Sequence, residues 1–242
     1  MKKILNYLVI FLTLSFPIFG FFRTSVAPGV FDVSLDRPVT EEIIVVNNSN
    51  EAIRLKVYTG KEADVEEKDY LGDWIRVFPR TLSLEPQSER RVKFSVRPPK
   101  DTLDGEYKGL IFIEELPEVV EGKTTLTLAG RHGLTVYGIK GKVDYKDIVV
   151  SNIRFENKDN NKVELVMTIA NKSKYSIKPE VLVKYLDKKG KVIEESKIRG
   201  SRVLKDKIGT IKGELINQKA QAIEIILISK GQQLYKQNIK LK

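Results

Sequence analysis

Apolar and polar residues alternate with a period of two along most of this chain. Val92, Phe94 and Val96 fall on one side of an extended segment, and Lys93, Ser95 and Arg97 on the other. That is the pattern of a strand with one buried and one wet face. Similar runs are expected as strands at 30–35, 42–46, 53–58, 74–78 and 107–113. Turn-forming residues separate them, among them Asp36-Arg37-Pro38, Asn47-Asn48-Ser49-Asn50, Glu85-Pro86-Gln87-Ser88 and Asp104-Gly105. Strands punctuated about every ten residues predict an antiparallel sandwich. In Leu103-Asp104-Gly105-Glu106-Tyr107, the Tyr follows a Gly at the mouth of a strand. A tyrosine so placed can turn its hydroxyl back onto the upstream loop, as in the tyrosine corner of immunoglobulin-like domains. Residues 60–72 read as an acidic surface loop, and Trp74 beneath it as a core plug.

The stretch 123–142 sustains its parity longest. Leu126, Leu128, Leu134 and Val136 share one register, and Thr135, Tyr137 and Ile139 the other, with Gly130 and Gly133 marking a bend. It closes a first domain, assigned to 26–141. Beyond it, seven more strands are expected at 149–155, 162–170, 179–186, 192–196, 209–215, 222–229 and 234–241. Only 201–207 suggests a helical turn. The apolar runs at 164–169 and 224–228 alternate weakly, as central strands covered on both faces do. The fold class expected is therefore all-β: two immunoglobulin-like β-sandwich domains, the second at 145–242.

The N-terminus changes the setting. Met1-Lys2-Lys3 precedes an apolar run to Phe22, the charged-then-apolar grammar of a secretory signal peptide, assigned to 1–22. An uncleaved anchor is the alternative, because the run approaches bilayer-spanning length. A periplasmic location is expected.

Composition narrows the chemistry. The chain has 242 residues, 41% hydrophobic and 31% charged, which suits a globular protein. The lack of cysteine excludes disulfides, thiol catalysis and thiolate metal sites. The one histidine, His132, excludes a multi-histidine zinc site. Glu114 and Glu115 are neighbours on an expected strand and point to opposite faces, which disfavours them as a glycosidase pair. No enzymatic activity and no cofactor are expected. The net charge of +10 favours anionic surfaces. Motifs that read nucleic-acid bases are missing, so contact with anionic envelope polymers is the expectation rather than nucleic acid.

Set down in order, the first-domain segments resemble the N-terminal domain of bacterial periplasmic pilus-assembly chaperones. The matching pieces are Ile43–Asn47, Trp74–Pro79, Leu82–Pro86, Arg91–Val96 and Tyr107–Pro117. The resemblance implies a chaperone or assembly factor for pilus or fimbrial subunits, monomeric when free of its client. Its partners would be protein subunits of a surface fibre. In that family the last strand of the first domain lends alternating apolar side chains to an incomplete subunit. Here those would be Leu126, Leu128, Leu134 and Val136, and Leu134→Asp or Val136→Asp is expected to abolish capture while sparing the fold. The family also holds the subunit's terminal carboxylate with an Arg and a Lys. The nearest basic residues are Arg37, already in a turn, and Arg131, Lys140 and Lys142 on the last strand, none of which aligns cleanly. The alternative function is an exported envelope-binding or adhesion module. The two separate on whether 123–142 is an open edge.

Overall fold

The computed structural model describes residues 23–63, 65–117, 129–158, 162–216 and 220–241. The expected signal peptide, Leu126 and Leu128, and the turn-forming sequences Glu121-Gly122 and Asp159-Asn160-Asn161 lie outside these residues. Among the described residues the regular structure is sixteen strands and two single 3-10 turns, at Glu67–Asp69 and Gly72–Trp74.

Nine strands form the first sandwich: β1 (Thr24–Ala27), β2 (Val30–Ser34), β3 (Val39–Asn47), β4 (Ile53–Gly60), β5 (Ile75–Phe78), β6 (Thr81–Leu84), β7 (Glu89–Val96), β8 (Gly105–Glu115) and β9 (Arg131–Lys140). They make a four-stranded sheet in the order β1-β3-β7-β5 and a five-stranded sheet in the order β2-β9-β8-β4-β6. The alternation read from sequence is the core pattern. Val92, Phe94 and Val96 are buried against Ile53, Leu55 and Val57 and the inward side of β8. Trp74 packs on this core with its ring centroid 4.8 Å from that of Tyr107. The Tyr107 hydroxyl donates to the Leu103 carbonyl at 2.9 Å, which is the tyrosine corner expected from the sequence.

β1 and β2 are one run that changes sheets. β1 joins the four-stranded sheet and β2 the five-stranded one, with the cis Ala27–Pro28 bond between them.

The second sandwich has the seven expected strands: β10 (Ile148–Lys158), β11 (Lys162–Asn171), β12 (Glu180–Leu186), β13 (Val192–Arg199), β14 (Lys207–Glu214), β15 (Ala222–Ser229) and β16 (Gln232–Lys240). Their sheets run β10-β11-β14 and β13-β12-β15-β16. β11 and β15 are internal, and Leu165-Val166-Met167 and Ile225-Ile226-Leu227 are continuously buried, which explains the weak alternation. The helical turn expected at 201–207 is not formed. Val203 instead bridges Ile177, with backbone hydrogen bonds both ways at 2.9 Å. An isolated bridge to a segment distant in sequence overrides the local preference there.

The two sandwiches share a device. Asn47, at the end of β3, is buried and donates to the carbonyls of Glu51, Leu84 and Glu85 at 2.7, 3.3 and 2.9 Å, while its oxygen accepts from Ser49. Asn171, at the end of β11, donates to Tyr175, Val203 and Leu204 at 2.9, 3.0 and 3.1 Å and accepts from Ser173. Each satisfies one carbonyl of its own turn and two of a loop distant in sequence from inside an Asn-x-Ser turn.

Candidate functional site: the flanks of the last strand of the first sandwich

β9 is antiparallel to β8 along its whole length, from Glu114↔Arg131 to Gly105↔Lys140. On its other flank β2 runs parallel to it, but only from Val30↔Thr135 to Ser34↔Ile139. The Thr135 N–H donates to Gly29 O at 3.0 Å, and the Leu35 N–H to Ile139 O at 2.8 Å. Above Thr135 the chain of β2 has turned away through Pro28. Arg131–Leu134 therefore has β8 on one flank and, among the described residues, no strand on the other. Alternate residues of a strand address alternate flanks. Since Thr135 faces β2, the backbone groups of Arg131 and Gly133 face the open side.

The side chains divide as the parity requires. Leu134 and Val136 point inward and are 1% and 0% exposed, within the first core. This corrects the expectation that aspartate at either position would spare the fold, because a buried unpaired carboxylate at the centre of a sandwich opposes folding itself. Period two identifies the two faces of a strand without saying what covers each.

Outward, Arg131 places its guanidinium carbon 4.9 Å from the Phe112 ring centroid. Phe112 lies 5.3 Å from Tyr58, whose hydroxyl donates to Glu114 at 2.6 Å. The ring fits because its neighbours are glycines: a Cβ on Gly60 would stand 2.4 Å from it, and one on Gly133 3.3 Å. At the top of the open flank the Thr24 hydroxyl donates to the buried Glu115 carboxylate at 3.1 Å. It also stands 2.8 Å from Nε2 of His132.

The lower end of β9 meets the second sandwich. Ile139 points outward into the second core. Beside it, Tyr137 lies under the Arg202 guanidinium at 3.7 Å. Arg202 bonds Asp32 of β2 at 2.5 Å and the Ser176 hydroxyl at 2.7 Å, and Lys178 also pairs with Asp32. Ser176 in turn donates its N–H and hydroxyl to the buried Glu106 at 2.9 and 2.6 Å. Burial works to raise the Asp32 pKa, but the hydrogen bonds from Lys178 and Arg202 outweigh it and hold the carboxyl below its ordinary value. The strand that closes the lower flank is thus tied to the second sandwich.

Arg37 and Arg131 are not brought together. Arg37 is exposed in the turn after β2, at the lower end of β9, whereas Arg131 begins it. About nine residues of strand at ~3.3 Å each put them roughly 25–30 Å apart. Lys140 lies nearer Arg37, but its ammonium is 3.6 Å from Asp36 and donates to Leu35 O. Asp36 is itself held below the ordinary carboxylate range by the Gly141 N–H, then by the Ser34 hydroxyl, with Lys140 adding to them. The junction residues Asp32, Glu106, Ser176 and Arg202 carry no sequence signal. The Asn47 and Asn171 turns do carry one, a repeated Asn-x-Ser after an apolar run. Among the described residues no group of three metal-ligating side chains occurs.

No family model matches the chain, and no curated protein matches it. In three dimensions it is similar to the E. coli chaperone DraB, at 12% identity and a TM-score of 0.46, covering 91% of this chain and 97% of that one. A chain from the Salmonella enterica SafA pilin–SafB chaperone complex is similar at 17% identity and 0.46, over 91% and 97%. A PapD-like domain of human CEP192 is similar over 54% of this chain and 97% of its own, at 12% identity and 0.39. These likenesses concern the arrangement of strands, and no residue's role passes across with them.

Proposed function

We propose that this protein is a non-enzymatic, exported chaperone or assembly factor that holds an extended segment of a pilus- or fimbria-type subunit against the upper flank of β9. The observation that carries the reading is the half-closed strand: among the described residues no strand lies against the outward backbone groups of Arg131 and Gly133, while β2 seals the flank from Thr135 to Ile139. An unpaired edge is a template for another chain, and strand addition is an established way to hold one. Leu126 and Leu128 continue the parity of Leu134 and Val136 upstream, and in this reading they supply the apolar side chains lent to the client. Arg131, stacked on Phe112, borders the same edge. In this reading residues 1–22 act as an export signal and the work is done in the periplasm.

The sealed lower half favours a second reading, an exported envelope-binding module. Co-expression with the genes beside its own, followed by purification from the periplasm, distinguishes them. A subunit that co-purifies and aggregates without this protein is expected. Leu126→Asp and Leu128→Asp should abolish its recovery with the melting temperature unchanged. Recovery of no subunit, with binding to envelope polymers instead, selects the module.

A further inference from the structure

At the edge of the first sandwich formed by β4, β5 and β6, the two sheets part. β6 leaves β4 after Thr81↔Lys56, with a last bond from the Val57 N–H to Arg80 O at 2.8 Å. Tyr58–Gly60 of β4 therefore has β8 on one flank and, among the described residues, no strand on the other. β5 is the outermost strand of its own sheet. The Arg97 N–H donates to Trp74 O at 3.0 Å, so by alternation Arg76 and Phe78 address β7, and the backbone of Ile75 and Val77 faces away from it.

Between these two unpaired margins lies an open groove of about 600 Å³. Its charged lining is Lys56, Arg76, Arg80 and the single acid Asp73. None of the three cations has a carboxylate partner among the described residues. Arg76 is fixed in place, its guanidinium donating to Asp73 O at 2.6 Å and Ile75 O at 3.0 Å. That cap occupies a carbonyl that an added strand would need, which blunts the groove as a peptide-pairing edge. The Lys56 ammonium lies 5.4 Å from the Tyr58 ring centroid, while Phe78, at the end of β5, is 77% exposed.

We propose that this groove binds a short stretch of acidic polysaccharide, sugar rings carrying carboxylates. The three cations take the carboxylates through charge-assisted hydrogen bonds. The outward-facing backbone groups of Val77 on one margin and Thr59 on the other pair with sugar hydroxyls, which both donate and accept. Single-stranded nucleic acid would require several stacking faces in succession, and the face of Tyr58 is shared with Lys56. The site is separate from the β9 flank and does not depend on the client reading.

The test is calorimetric titration of the purified protein with oligogalacturonate, a neutral oligosaccharide of equal length, poly-glutamate and oligo-dT. Oligogalacturonate is expected to bind at least about tenfold more tightly than the others. Lys56→Gln and Arg80→Gln are each expected to weaken it about tenfold, one charge-assisted bond's worth, both with unchanged melting temperatures. Lys188→Gln, in the second sandwich, should leave it unaltered. Equal affinity for poly-glutamate or oligo-dT, an equal loss with Lys188→Gln, or no binding at millimolar ligand would overturn the proposal.

Discussion

Leu134 shows what one residue does here. It is 1% exposed in the first core, so Leu134→Ala should cost about 2–5 kcal/mol by lost transfer and cavity terms. Urea unfolding measures that, and a change within 0.5 kcal/mol would mean that the side chain is not core. Asn171 is the sharper case, because one amide serves three carbonyls at once. Asn171→Ala leaves those acceptors with fewer partners and should cost on the order of 3 kcal/mol or more. Asn171→Asp is expected to be as damaging, since a carboxylate cannot donate to them. The parity of Leu134 and Val136 was legible from sequence, and so was the tyrosine corner, because both rest on neighbours within a few positions. The bonds of Asn171 to Val203 and Leu204 were not, because their partners lie more than thirty residues away.

At the scale of elements, the seven strands of the second sandwich and most of the first follow from alternation and turn residues. β1 has no signal of its own in the sequence, because it is four residues long and follows directly on the apolar run to Phe22. The parallel pairing of β2 with β9 was equally hidden, since strand periodicity is the same whichever neighbour is chosen. That pairing predicts a hydrogen-exchange pattern. Amides of Thr135, Tyr137 and Ile139 should be protected in the free protein, and those of Arg131 and Gly133 should exchange quickly. Client binding should protect the latter two. Slow exchange at Arg131 and Gly133 without a client would show the upper flank already paired and remove the basis for strand sharing.

The whole molecule is held at the junction by groups that no local pattern announces. Asp32, between Lys178 and Arg202, has a folded-state pKa below its ordinary 3.8. The clamp is therefore complete above that value and is lost as pH falls through the depressed folded one. Small-angle scattering should show the two sandwiches loosening in that acidic window. Asp32→Asn should produce the looser form near neutral pH, while an unchanged profile would assign the junction to its other contacts, the Glu106–Ser176 hydrogen bonds among them.

Ile139 carries a last consequence. Its strand belongs to the first sandwich, yet its side chain is counted in the core of the second. A cut made just beyond it would yield a fragment with an oily scar and a remainder missing one stone of its own wall. Neither half can be transplanted onto a foreign companion as a self-sufficient module, and exchanging one must bring the tail of β9 along with it.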